Sequence, residues 1–152
     1  MRAARGHKEP YNIKTWYIGN EMAFCSDVKQ AVELSDSFTE AMLKVDPTIR
    51  TVVSTGNDEA WDDAFLAEAK HIDMTSQHFY LLDYLPHDRN FENALCGAND
   101  ILYPRLQRAA KRAKNRKILF DEWNLQWGGF GDSNTAIFAA SVYTLLIRCY
   151  DE

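Results

Sequence analysis

Residues 13–45 read IKTWYIGNEMAFCSDVKQAVELSDSFTEAMLKV, and this stretch decides the fold. Ile13 to Gly19 is rich in β-branched and aromatic residues and ends in Gly-Asn, which reads as a strand running into a turn. Asp27 to Val45 then changes to helical spacing, with Val28, Val32, Phe38, Met42 and Val45 on one broad apolar face. Ser26 is placed to cap the start, and Asp46-Pro47 stops the helix. One strand followed by one helix is a βα unit.

The same rhythm continues outward. Arg50 to Ser54 (RTVVS) reads as a second strand, and Thr55-Gly56-Asn57 as a turn. Glu59 to Lys70 reads as a helix with Trp61, Phe65, Leu66 and Ala69 as its apolar set. His71 to Tyr80 (HIDMTSQHFY) is the third strand, followed by a polar loop containing Pro86 and Asp88. Phe91 to Asn115 is helical, with Pro104 at a kink or a helix start. Lys117 to Asp121 (KILFD) is the fourth strand, Glu122 to Ser133 a loop, and Thr135 to Tyr150 an apolar helix capped by Ser133 or Asn134. Four βα units in series imply an α/β fold with parallel strands and right-handed crossovers. An open doubly wound sheet and part of an eight-stranded barrel both satisfy this pattern.

The 152 residues suit one domain, taken as residues 1–152, and a 46% hydrophobic content is enough for a core. A net charge of −5 disfavours nucleic acid as the partner. Cys25, Cys96 and Cys149 form no CxxC pair, so a zinc or thioredoxin-type centre is not expected, and the three read as buried free thiols. The first 14 residues have no apolar run of the signal-peptide kind, and no stretch is long and apolar enough for a membrane span. No Asn-x-Ser/Thr sequon is present. Together these features point to a cytoplasmic location, although a longer parent enzyme could be secreted.

The chemistry gathers at the C-terminal ends of the strands, where a (β/α)8 barrel keeps its active site. Glu21 follows the first strand in WYIGNE. His78 and Tyr80 close the third, and Glu122 closes the fourth in ILFDEWN. Two facing carboxylates are what glycoside hydrolysis requires: one donates a proton to the leaving oxygen, and the other attacks the anomeric carbon from about 5 Å away in retaining enzymes. Tyr80 is placed to hydrogen-bond Glu122, Asn20 to meet a sugar 2-hydroxyl, and Trp123 and Trp127 to stack on sugar faces. Trp16 and Trp61 read as core.

The motifs resemble those of glycoside hydrolase family 51, the α-L-arabinofuranosidases. Gly6-His7-x-Glu9-Pro10-Tyr11-Asn12 leads into Trp16-x-x-Gly19-Asn20-Glu21, His78-x-Tyr80 follows, and Asp121-Glu122-Trp123-Asn124 closes the series. The resemblance runs over nearly the whole chain and chooses the barrel: a partial (β/α)8 TIM barrel, about strand four to helix seven. It implies Glu21 as acid/base, Glu122 as nucleophile, and an arabinofuranoside-containing oligo- or polysaccharide as substrate, with no metal or cofactor. Related retaining specificities, endoglucanase or β-xylosidase, use the same machinery. A truncated, non-catalytic half-barrel is the non-enzymatic alternative.

Four βα units leave two open strand edges, so self-association through them is expected. The basic run Arg105, Arg108, Lys111, Arg112, Lys114, Arg116 and Lys117 reads as a solvated helix face. Gly128, Gly129 and Gly131 read as a flexible loop beside the site, since no GxGxxG follows a strand.

Overall fold

The computed structural model describes residues 3–56, 58–85, 89–127 and 131–149. Four strands form one parallel sheet in the order β1 (Thr15–Tyr17), β2 (Arg50–Thr55), β3 (Met74–Tyr80), β4 (Lys117–Asn124). The helices between and after them are α1 (Val28–Leu43), α2 (Glu59–Glu68), α3 (Leu81–Tyr84), α4 (Phe91–Gly97), α5 (Tyr103–Ala113) and α6 (Ser133–Arg148). The sheet curls into half of a barrel. β2 and β3 are buried almost throughout, whereas β1 is exposed and β4 half-buried, as befits the two edges.

Local chemistry sets the element ends. Asp27, and not Ser26, caps α1 by accepting the Gln30 N–H at 2.9 Å. Asp132, one residue before the expected Ser133 or Asn134, caps α6 by accepting from Thr135 N at 2.8 Å. A carboxylate at this position also favours the positive helix end. Pro104 lies in the first turn of α5, where its missing N–H costs nothing, so of the two expected places it takes the helix start; a π-helical turn at Ala98–Leu102 precedes it. β4 runs on to Asn124 because pairing with β3 continues to Tyr80, so Glu122 lies inside a strand and not at the start of a loop.

Two apolar clusters hold the layers. Val53, Trp61, Phe65, Leu66, Ala69 and Ile72 pack with Ala31 and Met22 under α1 and α2. Phe79, Leu81, Leu102, Leu125, Phe138, Val142 and Leu145 pack between β3, β4, α4 and α6. Fully buried Phe65 and Phe138 each stabilise the fold by about 2–3 kcal/mol through transfer from water alone.

Three expectations about packing change. The buried residues of α1 are Ala31, Ser35 and Thr39, which let the helix lie close to its neighbours, and Asp36, which accepts from Lys70 N, while Phe38 and Val45 are exposed. Those two, with Ile13, Trp16, Ile18 and Met42, line an open groove of about 600 Å³ between β1 and α1. Trp16 is therefore exposed, whereas Trp61 is buried and stacks on Phe65. Cys25 is also exposed, because the turn after Met22 carries it to the surface.

The basic run is not a merely solvated face. Arg108 and Arg112 bind Glu59 and Asp63 of α2, Arg116 donates to the Ile72 and Leu66 carbonyls, and Arg105 is buried over the Tyr84 ring. Residues 86–88 and 128–130, which include Pro86, Asp88, Gly128 and Gly129, lie outside the described residues.

Candidate active site

Parallel pairing brings all four strand C-termini to one rim. β3 presents Ser76, His78 and Tyr80 on the concave face, since every second side chain points the same way. Opposite them β4 carries a bulge: Gln77 faces Phe120, but His78 faces Glu122, which leaves Asp121 as the extra residue. The bulge lets Asp121 and Glu122 both reach β3. Asp121 accepts from Ser76 Oγ at 2.5 Å, and Glu122 accepts from the Tyr80 hydroxyl at 2.9 Å.

Glu21 arrives differently. After β1 the backbone turns through Gly19, at φ +76°, and Glu21 itself sits at φ 46°, ψ 44°. A left-handed conformation costs a non-glycine residue roughly 1–2 kcal/mol, so contacts elsewhere must hold it. His78 supplies one: its Nδ1–H donates to Glu21 Oε1 at 2.9 Å and lies 3.4 Å from Glu122 Oε1. His78 is buried, and its Nε2 accepts from the Ser54 hydroxyl at 3.1 Å. The carboxylate oxygens of Glu21 and Glu122 that face Nδ1 place the proton there, and the Ser54 hydroxyl, able to donate or accept, adapts to Nε2. One oxygen each from Glu21 and Glu122 and one His78 nitrogen lie within 4.8 Å of one another. The same three groups are the set among the described residues that could hold a cation.

The electrostatics follow from this crowding. Burial, then the hydrogen bond to Glu122 and the charges of Glu122 and Glu21, push the Tyr80 phenol up to about 12. It stays a donor at any ordinary pH. Asp83, on the short helix after Tyr80, is raised by burial and then by the charge of Glu21.

Glu21, His78, Tyr80 and Glu122 thus meet at one point. Asn20 is exposed at the same rim and Trp127 is exposed beyond β4. Trp123 is not at the rim. Alternation along β4 turns it away from Glu122 into the helical layer, where it packs edge-on against Phe138 and Tyr143 and stacks on Phe120. Ser54 was not legible as a site residue, because a serine at the end of RTVVS carries no motif. Only the sheet register reveals its bond to His78.

A parallel βα half-barrel with paired carboxylates at its strand ends has the architecture of part of a (β/α)8 barrel, whose sites lie at that rim. Comparison with known proteins narrows this. The family described as Alpha-L-arabinofuranosidase 1 domain matches residues 1–94. The intracellular exo-alpha-(1->5)-L-arabinofuranosidase of Halalkalibacterium halodurans is 31% identical over 169 residues, covering 97% of this chain and 33% of the relative. The arabinose complex of the Thermotoga maritima alpha-L-arabinofuranosidase superposes with a TM-score of 0.79 at 30% identity, over 99% of this chain and 34% of that one. The family 51 enzyme of Thermotoga petrophila gives a TM-score of 0.72 at 29% identity, over 99% and 35%. The chain belongs to the α-L-arabinofuranosidase 1 domain family, within glycoside hydrolase family 51. It spans about a third of the length of these relatives. Among the described residues no helix is long and apolar enough to cross a membrane.

Proposed function

We propose that this chain carries the acid/base and nucleophile of a retaining α-L-arabinofuranosidase, which removes terminal α-L-arabinofuranosyl residues from arabinose-containing plant polysaccharides. The observation that carries the reading is the approach of Glu21 and Glu122 oxygens to within 4.8 Å. Retaining enzymes hold the two carboxyl groups about 5–5.5 Å apart, and inverting ones leave about 6.5–9.5 Å for a water.

Glu122 attacks the anomeric carbon while Glu21 gives its proton to the leaving oxygen. Glu21 then takes a proton from the water that releases the sugar from Glu122. Tyr80 orients the attacking carboxylate through its hydrogen bond. His78, on both carboxylates, fixes their separation. Asn20 contacts the 2-hydroxyl, and Trp127 offers a face for the sugar. The relatives named as intracellular enzymes support action inside the cell.

The β1 and β4 edges are open, and the apolar groove beside β1 is uncovered. We therefore propose that the working site also needs association through these edges, either between copies or with further barrel strands.

The test is hydrolysis of 4-nitrophenyl α-L-arabinofuranoside by the purified chain beside Glu122→Gln, with the xyloside as comparator. The first-formed anomer is read by proton NMR. Turnover that is lost in Glu122→Gln, with a product of retained configuration, supports the reading. An inverted product, or cleavage of the xyloside alone, refutes it.

A further inference from the structure

β1 and β4 are the two outer strands of the sheet, with β2 and β3 between them. Among the described residues they share no ladder pairing, yet a side-chain bond joins them: the Tyr17 hydroxyl donates to Asp121 Oδ2. This chord crosses the concave face. Asp121 is the bulge residue, and its other oxygen accepts from Ser76 Oγ on β3 at 2.5 Å. Asp121 thus ties β1, β3 and β4 together one residue before Glu122, while Tyr17 lies four residues before Glu21.

From this geometry we infer that Tyr17 is a positioning residue for the carboxylate pair: by holding bulge residue Asp121 across the concave face, it sets the approach of Glu21 to Glu122. The inference rests on the reading of that pair as catalytic. β1 pairs with β2 over three residues only, from Thr15↔Arg50 to Tyr17↔Val52. So short an edge strand frays unless tied, and Glu21 stands at the far end of it. Tyr17 as a whole is half exposed, but loss of water around its hydroxyl, and then the bond to and charge of Asp121, push the phenol up to about 12. It therefore remains a donor wherever Asp121 is ionised.

Hydrogen exchange of the His78 Nδ1–H, followed by NMR in the labelled chain and assigned by its loss in His78→Gln, reads the Glu21 contact directly. In Tyr17→Phe this exchange should quicken about tenfold, the effect of losing one hydrogen bond to a charged acceptor, while β2 and β3 amides stay within about twofold. Asp121→Asn, which keeps the shape of the acceptor and drops its charge, should move it in the same direction by less. On 4-nitrophenyl α-L-arabinofuranoside, kcat should fall about tenfold in Tyr17→Phe with KM nearly unchanged, as for a group that orients and does not bind. Unaltered His78 exchange in a folded Tyr17→Phe would overturn the inference. A parent chain without turnover would count against the proposed function alone, and the exchange result would still decide the role of Tyr17.

Discussion

Glu122 and Glu21 reach the same His78 ring from two different kinds of backbone. Glu122 sits inside an eight-residue strand whose register against β3 is fixed on both sides of a bulge. Glu21 hangs four residues beyond a three-residue edge strand, in a left-handed conformation, at a turn. Ladder pairing places the first, and side-chain contacts place the second. A fold can therefore build two halves of one site with different rigidity, and damage should tell the halves apart.

The chemistry should separate them most. Glu122→Gln removes the attacking group and should lower kcat on the order of 10⁴-fold or more. Glu21→Gln removes proton donation, usually worth about 10²–10⁴-fold. With 4-nitrophenolate, which leaves without help, the loss should lie at the low end. Equal losses in the two variants on this substrate would erase the assigned difference in roles.

Packing is the next way to tell the halves apart. Phe138→Ala empties the cluster behind Glu122, and Phe65→Ala the one behind Glu21. Each should cost about 3–5 kcal/mol in urea unfolding. Phe138→Ala should leave the His78–Glu21 contact seen by NMR in place up to the transition, and Phe65→Ala should loosen it earlier. Loss of both contacts together in each variant would mean one cooperative site.

Much of this was legible before the fold was seen. β-rich runs bounded by turn residues, alternating with helix-like segments, marked all four βα units, and the α2 apolar set Trp61, Phe65, Leu66 and Ala69 is buried. The strand-end rule also located Glu21, His78, Tyr80 and Glu122. What escaped depends on register. The bulge at Asp121 has no sequence mark, since Lys117 to Asn124 alternates no differently around it. With the bulge unseen, the outward turn of Trp123 and the Tyr17 contact could not be placed. The stripe Val28, Val32, Phe38, Met42, Val45 looked like one buried face, but its second half borders an open groove.

Asp62, buried on α2, gives the Glu21 half a pH response. It accepts the Gly56 N–H at 2.7 Å, beside the end of β2. Burial raises it from 3.8 to about 6, outweighing the Gly56 hydrogen bond and the nearby arginines. Between pH 4 and 6 the folded chain therefore keeps a proton that the unfolded chain has released. This contribution is present below about pH 4, is lost as pH rises through 6, and stays lost above. Asp62→Asn should match the parent near pH 4 and exceed it at pH 7 by on the order of 2 kcal/mol in urea unfolding. Taking the difference between the two chains cancels other acid-titrating groups, such as Asp46. A variant less stable at pH 7 would show that the charge, and not its burial, matters there.

The smallest predicted effect bears on the turn itself. Gly19 has φ +76°, and an added Cβ would stand 2.7 Å from Met22 Sδ. Met22 is buried in the cluster under α1, so its side chain has little room to retreat. Gly19→Ala should cost about 1–2 kcal/mol from the left-handed conformation alone, measured by thermal unfolding. The sharper readout is which half moves. The alanine pushes on the segment that carries Glu21, so the His78–Glu21 contact should weaken while the Tyr80–Glu122 bond persists. If instead both weaken equally, then Glu21 is held by the half-barrel as a whole, and the separation between a register-held and a contact-held carboxylate fails.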